Sequence, residues 1–437
     1  MFKSISNALK VKEIRKGLLF TLFILVVIRL GSQIPVPGLD TEAVKAYLEA
    51  ALGDANSFIS SFTGGSFTEM SIFALNVTPY ITSSIIMQLM TIAIPALEEM
   101  QKDGDDGRKK MTAITRYVTI FLAVVQSLGL AIGFDRGNYL TIDGALGFLI
   151  VIVTLTTGSA FVMWLGEKVT EFGVGNGISI ILLINIVSRM PSDFADLYTK
   201  FMKGQDIVKM VIAAAIIIGV IILTTILVVL LQDGVRKIPV QYAQKVQGRR
   251  MAGGQSSHIP LKVNTSGVIP VIFASSILSV PAVIINLFEI ETNGAWNKVL
   301  QVINQKYWFN KAYPLASIGV IIYILLVFFF AYFYTSVTFN PMEVANNMKK
   351  SGGFIPGIRP GKPTQDYLNK ILNYIVFIGA IGLIIVALIP TVFSGIFNAQ
   401  VSFGGTSLII IVGVVIETIK QIESKMIVRN YSGFLTD

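Results

Sequence analysis

Cysteine is absent from the 437 residues and histidine occurs once, at His258. Disulfide frameworks, thiol nucleophiles and Cys/His zinc sites are thereby excluded, although a carboxylate-bound metal is not. Charge is scarce: Asp, Glu, Lys and Arg make up 14% of the chain, against roughly 25% in soluble domains, so a large soluble enzyme is excluded too. There is no G-x-x-x-x-G-K-[ST] run, and hence no P-loop to drive work from within. His258, beside Gln255, Ser256 and Ser257 and without nearby carboxylates, reads as a structural hydrogen-bonding residue rather than a catalyst. Nothing in this inventory implies an enzyme, a metal or a cofactor.

What remains is apolar. Hydrophobic residues form 53% of the sequence and the mean hydropathy is +0.69. A membrane helix needs on the order of 20 residues, so there is room for roughly ten. Apolar runs occur at 18–30, 73–94, 117–134, 146–165, 178–187, 208–231, 267–285, 315–337, 371–390 and 408–416. The first follows Lys10, Lys12, Arg15 and Lys16 but ends in Gly31-Ser32-Gln33-Ile34-Pro35 without a cleavage pattern, so it is expected to be a retained helix. Of the 35 Lys and Arg, 25 fall in one set of alternate loops, which puts both termini in the cytoplasm by the positive-inside rule. The net charge of +9 suits anionic partners such as phospholipid headgroups or RNA. Phe2, Ile5 and Leu9 share a face of the N-terminal segment; it either lies on the inner membrane surface or is a frayed basic tail.

Five runs in each half make the halves inverted copies if they are repeats. The irregularities match: the second run holds Pro79 and the seventh Pro270 and Pro281. The fifth and tenth have short apolar cores entered through Gly173-Val174-Gly175-Asn176-Gly177 and Gly404-Gly405-Thr406-Ser407. Such matched interruptions point to helices facing an internal path, though Pro and Gly are common in membrane helices anyway. The second run carries Val77, Ile81 and Ile85 as an i, i+4 stripe, with Thr82, Ser83, Ser84 and Gln88 on its other faces. The four irregular runs hold no charged residue in their cores, unlike an ion-coupled transporter. An aliphatic-lined path closes by dewetting; lipid contact or helix packing is the plainer reading of each aliphatic residue. The stretch 57–71, with Gly64-Gly65 as a hinge, fits either a re-entrant element or an outer surface loop.

Two inner loops are long. The loop 232–266 holds Arg236, Lys237, Lys245, Arg249, Arg250 and Lys262 and the alternating strand pattern Ile238-Pro239-Val240-Gln241-Tyr242; the loop 337–370 holds Lys349, Lys350, Arg359, Lys362 and Lys370 around a Gly/Pro-rich centre. Basic, turn-rich projections suit docking to an acidic partner or to ribosomal RNA, the alternative being charge that only sets topology. The expected division is 1–17 (cytoplasmic N-terminal segment), 18–190 (first five-helix half), 191–231 (outer loop and sixth helix), 232–266 (docking loop) and 267–336 (helices seven and eight). Then come 337–370 (docking loop), 371–420 (helices nine and ten) and 421–437 (cytoplasmic tail).

The stretch from Ser71-Ile72-Phe73-Ala74-Leu75-Asn76-Val77-Thr78-Pro79-Tyr80 to Gln88-Leu89-Met90 resembles the second-helix signature of the SecY/Sec61-alpha family. Trp164-Leu165-Gly166-Glu167-Lys168 through Gly173-Val174-Gly175-Asn176-Gly177-Ile178-Ser179 resembles its second signature. Gly267-Val268-Ile269-Pro270, Phe273-Ala274-Ser275-Ser276 and Phe403-Gly404-Gly405-Thr406-Ser407 are similar to its seventh- and tenth-helix motifs. One departure is Asn76, where the family usually has glycine. The resemblance implies an all-α polytopic membrane protein, ten helices in two inverted pseudo-symmetric halves around a central pore. The implied function is to conduct unfolded secretory polypeptides and to release transmembrane segments into lipid. It implies a pore ring of Val77, Ile81, Ile85, Ile186, Ile272 and Ile410. It also implies a plug at 57–72 that includes Ser57, Phe58, Ile59, Phe62, Gly64, Gly65, Phe67 and Met70. The lateral gate would carry Thr82, Gln88, Ser275 and Ser276, and the docking surface Arg236, Lys245, Arg249, Arg250, Arg359 and Lys362. The implied partners are SecE, SecG, the SecA motor, the ribosome, signal sequences and unfolded preproteins, at the bacterial cytoplasmic membrane. The rival classes are an inverted-repeat secondary transporter, which would need a titratable midplane residue, and a membrane scaffold without a conduit.

Overall fold

The computed structural model describes residues 10–52, 63–142, 144–203, 206–242, 245–247, 250–252, 256–287, 295–304, 307–309, 314–397 and 405–432. Its elements run α1 (Lys12–Gly31), α2 (Thr41–Leu52), α3 (Thr78–Ala93), α4 (Pro95–Lys102), α5 (Gly104–Arg136), α6 (Ala145–Phe172), α7 (Gly177–Phe201) and α8 (Ile207–Asp233). Four strands follow, β1 (Val235–Tyr242), β2 (Lys245–Gln247), β3 (Arg250–Ala252) and β4 (Ser256–Lys262). The chain continues with α9 (Ile269–Leu287), α10 (Ala295–Ile303), α11 (Ile318–Thr338), α12 (Pro341–Lys350), β5 (Gly353–Phe354), α13 (Lys362–Phe397) and α14 (Thr406–Ser432).

Every apolar run read from the sequence overlaps a helix over most of its length. Among the described residues six helices are long and apolar enough to cross a membrane, and a seventh span results if α3 and α4, bent by 102°, count as one. The other expected spans coincide with α1, α9 and α14. The bend after α3 follows from Pro95, which forces Ile94 into an extended conformation (φ −117°, ψ 107°).

Two expectations change. The second helix does not begin at Phe73 with Pro79 in its interior: α3 starts at Thr78, and Pro79 occupies its first turn. Pro270 likewise lies at the start of α9, whereas Pro281 is internal. A proline at a helix start forfeits a donor that has no partner there anyway, so it starts a helix at little cost. The fifth and tenth helices extend well beyond their short apolar cores: α7 spans 25 residues, through Pro191, and α14 spans 27. Asn176 caps α7 by accepting from the Ser179 amide at 3.3 Å.

The three largest buried apolar clusters among the described residues are one in each half and one between them. Val36, Val44, Met70, Phe134 and Leu155 pack in the first half; Val228, Val271, Trp308, Tyr323 and Leu383 pack in the second. Between them Ile28, Phe73, Val77, Val162, Ile181, Ile186 and Ile410 form a third cluster that joins α1, α6, α7 and α14. On the outside the rule is reversed: Ile207, Val208, Ile216, Ile222, Leu223 and Leu230 of α8 are exposed, as suits a helix whose solvent is lipid.

At one end the two long loops merge. β1 pairs antiparallel with β4 from Val235↔Lys262 to Gln241↔Ser256, and with β5 at Gln241↔Phe354 and Tyr242↔Gly353. Ile238, Val240, Leu261, Met348, Ile355 and Leu368 make a small core beneath this sheet. The hairpin expected at 238–242 is present; that the second loop completes its sheet was not evident from the sequence. The N-terminal face Phe2, Ile5 and Leu9 lies outside the described residues.

Candidate functional site: a central cavity and its seals

The four irregular helices surround one cavity of about 780 Å³. α3 supplies Tyr80, Ile81, Ser84, Ile85 and Gln88 to its wall; α7 supplies Ile178, Ser179 and Leu182; α9 supplies Ile269 and Ile272; α14 supplies Ile409, Ile410, Gly413 and Val414. The wall's charged residues, Lys262, Glu417 and Lys420, lie at the end that carries the β-sheet. There Lys420 of α14 reaches Asp233, at the end of α8, at 2.8 Å. Deeper in, the surface is aliphatic with scattered hydroxyl and amide groups. Such a lining offers a passing chain dispersion contacts and few strong hydrogen bonds.

Of the six ring candidates, Ile81, Ile85, Ile272 and Ile410 line the cavity. Val77 (1% exposed) and Ile186 (3%) are buried instead in the adjoining cluster, together with Phe73 and Ile410. Val77 stands just before α3, where its carbonyl accepts from the Ile81 amide at 3.0 Å. Leu182, Val268 and Ile409 were missed as wall residues. The i−4 spacing of Leu182 from Ile186 was the signal that could have found the first of them.

The described part of the proposed plug segment, 63–72, is packed inside the protein. Thr63, Ser66, Phe67, Thr68, Met70 and Ser71 are all buried. The chain pairs Pro35 with Ser71 in an antiparallel bridge, the Val36 amide donating to the Met70 carbonyl at 3.0 Å and Ile72 to the Ile34 carbonyl at 2.9 Å. Gly64 and Gly65 both take positive φ, +67° and +88°, which is the freedom a hinge there requires. Ser57, Phe58, Ile59 and Phe62 lie outside the described residues.

Asn76 has φ +48° and is fully buried. Its Oδ1 accepts from the Val77 amide at 2.9 Å, its Nδ2 donates to the Thr63 carbonyl at 3.5 Å, and its own carbonyl accepts from Ser159 Oγ at 2.9 Å. The left-handed conformation suits asparagine, which after glycine is among the residues that tolerate αL best.

Between α3 on one side and α9 and α11 on the other runs a seam. Tyr334 Oη donates to Gln88 Oε1 across it at 3.1 Å, and Phe273 stacks on Phe330 with centroids 5.0 Å apart. Thr82 satisfies itself within α3, donating to the Thr78 carbonyl at 3.0 Å. Ser275 is buried and hydrogen-bonds Tyr323 within the second half, while Ser276 is half-buried. Among the described residues, Gln88 is the one gate candidate of the four with a polar tie across the seam. Its partner Tyr334 was not singled out from the sequence, since an aromatic in an aromatic-rich helix carries no distinguishing pattern.

Of the docking candidates, Arg236 on β1, Arg359 before α13 and Lys362 at its start are exposed. Lys245 and Arg250 belong to the β2–β3 hairpin, in which Gln247 pairs with Arg250. Arg249 lies outside the described residues. The two basic loops therefore present one surface.

Residues 71–419 match the family model described as SecY. The chain is 44% identical to the protein translocase subunit SecY of Streptomyces scabiei, the alignment covering 100% of both. It is similar in structure to a SecY channel whose plug domain is described as stabilising the closed state and maintaining a membrane seal (TM-score 0.62, 20% identity, 95% and 94% of the two chains covered). It is also similar to Sec61 in the canine ribosome-channel complex from the endoplasmic reticulum (TM-score 0.60, 19% identity, 95% and 94% covered). A full-length match to this family, on a helical membrane architecture whose four irregular helices enclose one aliphatic-walled cavity, means that the chain belongs to the SecY family of protein-conducting channel subunits of the protein translocase.

Proposed function

We propose that unfolded polypeptide passes through the cavity between α3, α7, α9 and α14. The observation that carries this reading is an aliphatic wall in which charge is confined to one mouth. Ile81, Ile85, Ile272 and Ile410 form the constriction, and Val77 and Ile186 back it. The segment 57–72 is the plug, and its described part, 63–72, is packed inside the protein. In the closed state dewetting of the aliphatic ring and the buried segment together exclude ions. Opening is a population shift that a signal sequence and a docked partner favour through their preference for the open state.

The seam between α3 and α9/α11 is the lateral gate. Gln88 with Tyr334 supplies its polar tie, and Thr82, Ser275 and Ser276 contribute polar groups once it parts. A transmembrane segment leaving the aqueous path gains on the order of 25 cal/mol per Å² of apolar area, so hydrophobicity does the sorting. The sheet surface with Arg236, Arg359 and Lys362, extended by Lys245, Arg249 and Arg250, docks the SecA motor or the ribosome; similarity to Sec61 in a ribosome-channel complex supports the second. SecE and SecG are the membrane partners, anionic phospholipids meet the basic loops, and both termini face the cytoplasm of a bacterium. The chain supplies passage, not catalysis.

Conductance across planar bilayers tests the reading, comparing the purified complex with a deletion of 58–68 and with Ile81→Gly plus Ile410→Gly. A tight parent with leaky variants is expected. Equal tightness of all three would remove the pore assignment, and a transporter or scaffold would take its place.

A further inference from the structure

We infer that Arg29 is the latch of the plug segment: its guanidinium holds the carbonyl of Gly64 and so keeps the segment seated. The inference rests on the plug reading above.

Arg29 is the lone charge between residues 17 and 31 of α1. Position near a helix end first suggests a side chain reaching for the membrane surface. The structure turns it inward instead: Arg29 is half-buried, and its Nη1 lies 3.4 Å from the Gly64 carbonyl oxygen, 35 residues away in sequence. That contact is long for a hydrogen bond, but three other features converge on it. The carboxylate of Glu69, five residues further along the segment, exerts an attractive pull on the guanidinium. Gly64 has φ +67°, and a Cβ there would stand 2.9 Å from Arg29 Nη1 and 3.0 Å from the Cα of Asn185 on α7. The neighbouring carbonyl, that of Thr63, is taken by Asn76 Nδ2. Two successive carbonyls are thus each held by a side chain from another part of the chain.

The adjacent glycine sharpens the point. Gly65, at φ +88°, would meet nothing within 4 Å. The pair therefore divides its labour: Gly65 is the free joint and Gly64 the packed contact. A guanidinium in apolar surroundings is costly without hydrogen-bond partners, so Arg29 favours the seated segment and loses a partner whenever the segment leaves. Arg29 is a positioning residue, since it acts through the plug and not on the passing chain.

The absence of cysteine makes the test direct. Ser66→Cys puts a thiol at a position 1% exposed, and it is the only thiol in the chain. Its labelling rate by a membrane-impermeant maleimide reports how often the segment leaves its seat. The rate and the ion conductance are compared, in the purified complex in proteoliposomes, for Ser66→Cys alone and combined with Arg29→Ala, Arg29→Lys, Gly64→Ala or the deletion of 58–65. Arg29→Ala is expected to raise labelling about tenfold, the factor lost with one charge-assisted hydrogen bond, and to raise conductance with it. Gly64→Ala, which breaks the same contact from the other side and leaves α1 untouched, is expected to do the same. Arg29→Lys, which keeps the charge but not the fork, should fall between. Parent-level labelling in both Arg29→Ala and Gly64→Ala, with a leaky deletion, overturns the latch and leaves the channel reading standing. A deletion that does not leak overturns the plug reading itself.

Discussion

Leading into α3, residues 63–77 are tied down at almost every step. Asn76 spends its amide on Val77 and Thr63, Ser159 donates to the Asn76 carbonyl, and Ser71 and Ile72 bond back to Ser66 and Ile34. Leading into α9, the equivalent position in the other half, the arrangement is looser. Asn264 is 5% exposed, yet neither atom of its side-chain amide has a hydrogen-bond partner among the described residues, and it borders the cavity. Gly267, at φ +64°, would meet nothing within 4 Å if it carried a Cβ. A shift of the α9 approach breaks no hydrogen bond between the Asn264 side chain and the described residues, whereas a shift of the α3 approach breaks bonds already made. The comparison teaches that two halves of the same plan are anchored unequally, and that α9 is the wall helix with less to lose by moving.

Substitutions can break or sharpen this contrast, with unfolding of the purified complex in detergent as the common measurement. The largest effect is expected at Gly158 on α6, where a Cβ would run into the Ile72 carbonyl oxygen. Gly158→Ala should destabilise by about 3 kcal/mol through overpacking against backbone, and an unshifted transition would mean that the α3 approach yields as easily as the α9 approach. Asn76→Ala comes next, at about 2–3 kcal/mol, since it loses two hydrogen bonds and retains an αL backbone. Asn76→Gly restores the backbone freedom and should cost about 1 kcal/mol less than Asn76→Ala; equal losses in the two would show that conformation is not what the position selects. Gly267→Ala should cost only the αL penalty, about 1 kcal/mol, because the space around it is open. Asn264→Leu should be the mildest, within about 0.5 kcal/mol of the parent or more stable, since it removes no hydrogen bond to the described residues and keeps a similar shape. A large loss there would show that the amide is satisfied in the native complex and would erase the asymmetry.

Much of the site was readable beforehand because it depends on pattern. The stripe Ile81 and Ile85 lines the cavity, as do Ile272 and Ile410, which the family resemblance supplied, and the four irregular helices do meet. The stripe's third member did not follow: Val77 precedes the helix that carries the other two and is buried beside it. Periodicity assumes a helix already begun, and Pro79 marks where this one begins. Ile186 shows the second limit. The family resemblance put it on the pore ring, but whether an inward residue touches the void or a neighbour depends on how closely α1 and α6 pack behind it. Tyr334 and Arg29 show a third, since each matters through a partner more than 30 residues away.

The sequence by itself determined the class of molecule. Scarce charge, runs of apolar residues and 25 of the 35 basic residues on one set of loops demand a membrane helix bundle, because a helix satisfies its own backbone in lipid. Matched prolines and glycines picked out which helices would be special. Tertiary structure alone decided which residues face the cavity, joined the two basic loops into one sheet through β1 and β5, and turned Arg29 from lipid toward Gly64. The physical reason is that local pattern encodes only which side of an element is apolar. What that side meets is fixed by contacts between segments far apart in the chain.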